Sequence, residues 1–317
     1  MEFSVGSPEA LRELLAQHWQ RLLDSGFITY DPSRALSFRA GALAFHFVAG
    51  RAKRPRPHDD KPPGLLVPHS KCPFDDPEAL RVREVSLYER SDRLYHVGVN
   101  RFPVKHLHHL IVRSPLAPED TLPQCLFGPD EIEDMLLFAT ALGPGYRFYF
   151  NSNQGRDGSH SGSSINHWHF HFFPLSGGPL ELTTDSDMPR SGVQVGSVPD
   201  WGVPHRVYRS CSPDLLARTV WRDLERVVAL DVAFNFEFFV SESDCSGLSL
   251  ALYVRRPLDP VPVADVGALS NLYGGIELSG HVILYQEEVY RWLSEHPRDA
   301  EALAWKRLRA GTRDFWT

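Results

Sequence analysis

From His167 to Phe173 the chain reads His-Trp-His-Phe-His-Phe-Phe, and this alternation constrains the fold more than any other feature. In an extended strand, alternate side chains share a face. His167, His169 and His171 are then expected together on one face, with Trp168, Phe170 and Phe172 turned into a core. The run predicts a strand over residues 165–174 with one buried and one chemically equipped side. Two chemistries suit three imidazoles so placed. Neutral imidazoles can ligate zinc with water in the remaining position. Alternatively, one imidazole attacks a phosphorus atom while its neighbours orient it or hold phosphate oxygens.

The preceding loop, residues 151–164, favours the second chemistry. Gly155, Gly158 and Gly162, with Ser159, Ser161, Ser163 and Ser164, offer backbone N–H groups and hydroxyls suited to phosphate oxygens. A zinc site has no need of such a loop, although a run of this composition also serves as an ordinary surface connection. Arg51, Lys53 and Arg54 form a local basic group that suits an anionic substrate. A solvated loop is the plainer reading of the same residues. His106, His108 and His109 offer a second imidazole cluster, but no Asp, Glu or Cys stands beside it. His109 is expected on a strand lining the site, and Glu277 and His281 are further polar candidates.

Around these residues the pattern is that of a globular α+β protein. Residues 8–23 carry Leu11, Leu14, Leu15, Trp19 and Leu22 at helical spacing. Residues 94–99 and 109–112 read as strands, and 130–142 as a helix capped by Asp130. Strands follow at 146–150 and 165–174. A helix at 213–230, strands at 235–240, 248–254 and 278–284, and a closing helix at 287–296 complete the chain. Consecutive strands favour a largely antiparallel sheet. The expected division is an N-terminal helical segment at 1–36, a catalytic half at 37–190 and a second, degenerate half at 191–317.

At 42% hydrophobic and 11% aromatic residues, the 317-residue chain can bury a substantial core and does not read as a disordered adaptor. Its net charge of −7 gives no general attraction for nucleic acid or anionic membrane, so neither is expected as a partner. No apolar run approaches the length that spans a bilayer. Met1-Glu2-Phe3-Ser4-Val5 lacks the blocks of a signal peptide, and Cys72, Cys125, Cys211 and Cys245 form no Cys-x-x-Cys pair. The expected compartment is the cytoplasm; no metal and no cofactor are expected.

The run His167-Trp168-His169-Phe170-His171-Phe172-Phe173 resembles the signature of the histidine-triad superfamily. The resemblance implies a fold built on an antiparallel sheet with flanking helices in two related halves. It also implies roles: His169 attacks an α-phosphate and forms a nucleotidyl-histidine, His167 orients it, and His171 meets phosphate or the leaving group. Within the superfamily, Asn151-Ser152 followed by Ser164-Ile165-Asn166-His167 resembles the GDP-hexose phosphorylase group. Segments Gly50-Arg51, Lys53-Arg54-Pro55, Pro73-Phe74-Asp75, Asn100-Arg101-Phe102-Pro103 and Glu277-Leu278-Ser279-Gly280-His281 are similar to that group in the same order, over about residues 37–293. Galactose-1-phosphate uridylyltransferases and diadenosine tetraphosphate phosphorylases are more distant resemblances. The resemblance places Asn151 at a ribose or phosphate, and base recognition at residues 37–51 and 73–75.

One departure bears on the second half of the reaction. The GDP-hexose group commonly carries glutamine where this chain has His171. Histidine there is shared with triad hydrolases and some dinucleoside polyphosphate phosphorylases, which leaves phosphate, water and a sugar phosphate open as acceptors. The leading reading is a phosphorylase that cleaves a nucleoside diphosphate-hexose, GDP-hexose first, to a nucleoside diphosphate and a hexose 1-phosphate. Its partners would be that nucleotide and phosphate, with a homodimer allowed. A dinucleoside polyphosphate phosphorylase or nucleotide hydrolase is the alternative among enzymes. From another class, a nucleotide-binding regulatory protein would keep the pocket without turnover, and a zinc-dependent hydrolase is more remote.

Overall fold

The structure is a computed structural model describing residues 7–53, 74, 84–90, 93–114, 122–153, 155–163, 165–178, 181, 185–190, 192–241, 247–257 and 274–316. The chain opens with α1 (Pro8–Asp24), whose N-cap Ser7 accepts from Ala10 N at 3.3 Å. Leu11, Leu15, Trp19 and Leu22 are buried along one stripe, while Leu14 stays exposed. A hairpin follows, β1 (Leu36–Ala40) and β2 (Leu43–Phe47), and a 3₁₀ turn at Ala49–Lys53. Next come β3 (Glu84–Arg90), β4 (Arg93–Val99), β5 (His109–Ser114), α2 (Pro129–Leu142), β6 (Tyr146–Asn151) and β7 (His169–Pro174). The same succession then recurs as β8 (Asp185–Arg190), β9 (Val193–Ser197), β10 (Arg206–Ser210), α3 (Pro213–Ala229), β11 (Phe234–Val240) and β12 (Leu248–Val254). The short α4 (Gly275–Leu278), β13 (His281–Leu284), α5 (Glu287–Glu295) and α6 (Pro297–Ala310) close the chain.

The ten strands β3 to β12 form one sheet in the order β3-β4-β5-β7-β6-β11-β12-β10-β9-β8. Read outward from the central β6–β11 pair, the two halves have identical topology. The central pair joins them with Phe148 opposite Phe238 and Asn151 opposite Asn235, and every neighbouring pair in this sheet is antiparallel. One face buries Phe148, Phe170, Phe236 and Leu250 beneath α1, α2 and α3, in a single cluster continuous across both halves. On the other face, β13 pairs in parallel with β2, and that three-stranded sheet packs with α5 and α6 over Val207, Ala251 and Tyr253 of the second half. The corresponding face of the first half carries His169 and His171. Among the described residues no helix is long and apolar enough to cross a membrane.

Several local expectations are corrected. The strand expected at 165–174 begins only at His169, so His167 precedes it. Asp130 is not the cap of α2: Gly128 takes that position, Pro129 leads, and Asp130 and Glu131 occupy the first turn, where carboxylates complement the helix dipole. Residues 278–284 are not one strand, because Gly280 at φ 91° turns the chain between α4 and β13. Residues 185–197 also carry β8 and β9, which the sequence does not announce; β9 alternates only through Val193 and Val195, too short a period to read. α6 is missed because its buried stripe is largely alanine, Ala300 and Ala304. Arg54, Pro55, Pro73 and Asp75 lie outside the described residues.

Candidate active site

His169 opens β7 at 5% exposure, and Phe170 behind it is fully buried against Phe150 and Trp168, at ring separations of 4.7 and 4.9 Å. Burial of these rings, worth roughly 2–3 kcal/mol each, pins the strand's facing. The alternation thereby becomes a rigid mount for the imidazole. His169 Nδ1 lies 2.7 Å from the carbonyl oxygen of His167. A carbonyl only accepts, so Nδ1 carries the proton and Nε2 is left with its lone pair. His167 Nε2 in turn lies 2.8 Å from the carbonyl of Arg113, which fixes its proton on Nε2. Phe74 approaches both rings, at 5.4 Å from His169 and 5.7 Å from His167, and packs on Leu110, Val112 and Ile165.

The start of β7 is held by a residue the sequence does not flag. Pairing of β6 with β7 ends at Tyr149–His171. Beyond it the buried Gln124 bridges the two chains, Nε2 donating to the carbonyls of Asn151 and His169 at 2.8 Å each, and Oε1 accepting from His169 N at 2.8 Å. No spacing rule singles out one glutamine in a loop. His171 stands across from Tyr149, its ring edge-on to His169 at 4.9 Å, and its Nδ1 lies 3.0 Å from His108 Nε2.

The three consecutive-region histidines therefore separate. His106 lies edge-on to Trp19 at 5.4 Å, His108 reaches His171, and His109 goes to the opposite face. His109 stacks on Phe172 at 5.3 Å inside the helix-covered core, where burial lowers its pKa to about 4; it does not line the face of His169. Among the described residues no group of three His, Cys, Asp or Glu side chains is placed to hold a metal ion.

In the loop before the triad, Ser152, Ser159, Ser161 and Ser163 are buried and bonded within the fold. Ser152 donates to the carbonyl of Asn153 and accepts from Phe234 N; Ser161 donates to the carbonyl of Ser152; Ser163 donates to that of Ile165 at 3.0 Å. Ser159 accepts from Ala233 N at 2.8 Å. The hydroxyls of Ser152, Ser161 and Ser163 thus shape the loop, each donating to a backbone carbonyl. Ser164 lies outside the described residues. Asn151 Oδ1 accepts from Asn235 Nδ2 at 2.6 Å and from Gly275 N at 2.9 Å, which ties the end of β6 to β11 and α4.

A second polar group borders the first along β6, β2 and β13. Tyr149, the cross-strand neighbour of His171, meets Ser279 Oγ at 3.1 Å. Buried Glu277 accepts from Gly274 N at 2.9 Å; burial raises its carboxyl to about 7, opposed by Arg51. Arg51 itself donates to the carbonyl of Phe102 at 2.8 Å, and Lys53 ends the turn that carries Arg51. His281 stacks on His46 at 5.4 Å, with His46 Nε2 3.2 Å from His281 Nδ1 and Lys105 Nζ 2.9 Å from His46 Nδ1. Burial and the nearby ammonium lower both imidazoles to about 3, and burial draws Lys105 down to about 8. Of the residues expected from sequence, His167, His169, His171 and Asn151 come together. Arg51, Glu277 and His281 stand in the bordering group, and His109 stands apart.

No protein-family model matches the chain, and no curated protein matches its sequence. Solved structures do share its fold. Yeast Ap4A phosphorylase Apa2 in complex with Ap4A aligns with a TM-score of 0.66 at 16% identity, covering 94% of this chain and 95% of that one. A second structure of Apa2 gives 0.67 over 97% and 96%, and its complex with AMP gives 0.65 over 96% of each, both at 16% identity. The chain therefore has the α+β fold the resemblance implied: a histidine-triad-like antiparallel sheet with flanking helices in two related halves.

Proposed function

We propose that this protein is a nucleotide phosphorylase that transfers a nucleotidyl group to inorganic phosphate through a covalent intermediate on His169. The observation that carries the reading is the bond from His169 Nδ1 to the carbonyl of His167, which leaves Nε2 as a lone-pair nucleophile on a rigid strand. In the first step Nε2 attacks the α-phosphorus. A P–N bond forms, the P–O bond to the leaving group breaks, and its electron pair goes to the departing oxygen. In the second step a phosphate oxygen attacks the same phosphorus, the P–N bond breaks, and a nucleoside diphosphate leaves. Imidazole suits both steps, since it is nucleophile in one and leaving group in the other. His167 orients the nucleophile's strand end, His171 serves the departing or entering oxygen, and Asn151 holds the ribose side.

Two substrate classes have support. The ordered segments from Gly50-Arg51 to Gly280-His281 favour a nucleoside diphosphate-hexose, with a GDP-hexose first. The fold shared with yeast Ap4A phosphorylase along both chains favours a dinucleoside polyphosphate equally. Incubation with GDP-, ADP- and UDP-hexoses and with Ap4A, with and without phosphate, separates them by the nucleotides released. Phosphate-dependent release of a nucleoside diphosphate is the expected result. His169→Gln should abolish it, together with the acid-labile nucleotidyl adduct seen by mass spectrometry. Full turnover by that variant would overturn the covalent route; monophosphate release independent of phosphate would make the protein a hydrolase.

A further inference from the structure

We infer that His108 is a positioning residue that fixes the tautomer of His171, so that His171 presents an Nε2–H donor toward the reacting phosphate. Its consequence for turnover rests on the function proposed above; the tautomer itself does not. The argument starts from a backbone group that cannot change its role. Val104 N lies 3.1 Å from His108 Nδ1, and a backbone N–H only donates. His108 Nδ1 is therefore the lone-pair nitrogen, and its ring carries its proton on Nε2. That nitrogen lies 3.0 Å from His171 Nδ1. The His108 proton points at His171, so His171 Nδ1 accepts and the proton of the neutral His171 ring sits on Nε2.

Asn100 does not reverse this assignment. Its Oδ1 accepts from Phe102 N at 2.9 Å, which turns its amide nitrogen toward His108 Nε2 at 3.2 Å. An amide nitrogen only donates, so it cannot take the His108 proton; against a protonated Nε2 it makes no hydrogen bond, and the proton is left to His171 Nδ1. The turn that carries His108 is fixed independently of the active site. The His108 carbonyl accepts from Asn100 N at 2.9 Å, and Leu107 holds φ 54°, in the left-handed region. The His109 ring, on the other side of the sheet, anchors back to the Leu107 carbonyl at 2.7 Å. His108 is 3% exposed, packed edge-on to Phe173 at 4.8 Å. His169 and His171 then hold complementary protonation: a lone pair on His169 Nε2, set by the His167 carbonyl, and a donor on His171 Nε2, set by Val104 N through the His108 ring, with the two rings edge-on. A glutamine at the position of His171 has a side-chain amide donor of its own and needs no such partner. A histidine does need one.

The test reads the tautomer directly, on the whole ¹⁵N-histidine-labelled protein without substrate. Long-range ¹H–¹⁵N correlation spectra, with the His171 resonances identified by their loss in His171→Gln, should show Nε2 protonated and Nδ1 bare. His108→Ala should give a mixture of both tautomers. His108→Gln can accept from Val104 through its oxygen and donate to His171 through its nitrogen, and should restore the single form. With whichever of GDP-glucose and Ap4A is turned over, His108→Ala should lower kcat about tenfold, the worth of one neutral hydrogen bond in the transition state. KM should stay within about twofold, and His108→Gln should recover most of kcat. An Nδ1–H form of His171 in the parent protein, or an unchanged tautomer in His108→Ala, overturns the inference whatever the substrate. So does a His108→Gln variant as impaired as His108→Ala. If neither nucleotide is turned over while the Nε2–H form is found, the functional reading fails and the tautomer assignment stands.

Discussion

Gln124→Glu is nearly isosteric, yet it should destabilise the junction of β6 and β7 out of proportion to its size. The buried amide nitrogen donates to two carbonyls, those of Asn151 and His169, while the amide oxygen accepts from His169 N. Glutamate keeps the acceptor and faces both carbonyls with an oxygen. Each buried acceptor left without a donor costs about 1–3 kcal/mol, so the pair costs roughly 2–6 kcal/mol, a large part of the ~5–15 kcal/mol that holds a typical protein folded. At ~2–4 °C of Tm per kcal/mol, the expected fall is roughly 4–24 °C near neutral pH. A protonated carboxyl can donate to one carbonyl, so the introduced group's pKa is raised in the folded state. The regained stability is full below the unfolded value of about 4.3 and is lost as pH rises through the folded value. Circular-dichroism melts of parent and variant across pH measure both effects. A variant Tm within about 2 °C of the parent at every pH would refute the bridging role of Gln124.

Two further substitutions probe the carboxyl beside α4 and the core behind the triad. Glu277, raised to about 7 by burial, is protonated preferentially in the fold, so its contribution to stability is full below the unfolded value of 4.5 and is lost as pH rises through about 7. Glu277→Gln should remove that dependence and gain at most about 3 kcal/mol on the parent at alkaline pH; parallel urea-midpoint curves against pH would contradict it. Trp168→Ala removes a fully buried ring lying 5.3 Å from Tyr95 and 4.9 Å from Phe170, and should cost about 3–5 kcal/mol in urea unfolding. An unchanged midpoint would mean that the Trp168 ring, buried just before β7, does not help seat His169.

The sequence by itself determined the facing of β7. Alternation is a local property: neighbouring side chains on a strand oppose each other whatever the rest of the chain does, and three aromatic rings gain more by entering an apolar core than three imidazoles do. His169 as the candidate nucleophile, Trp168, Phe170 and Phe172 as core, and the antiparallel α+β class are all legible on that ground. The start of the strand was not legible, because Gln124 ends the β6–β7 ladder from 45 residues away. His108 was visible only as one of three clustered imidazoles, and the cluster gives no reason to separate them. The turn at Leu107 sends His108 to His171 and His109 into the core. His46 and His281 stand 235 residues apart and meet only because β13 pairs in parallel with β2. The loop serines are legible as polar, but their partners within the fold are not, since a hydroxyl's partner depends on which carbonyl folding brings beside it. Facing follows from the period of one strand; protonation follows from partners that only the tertiary structure supplies.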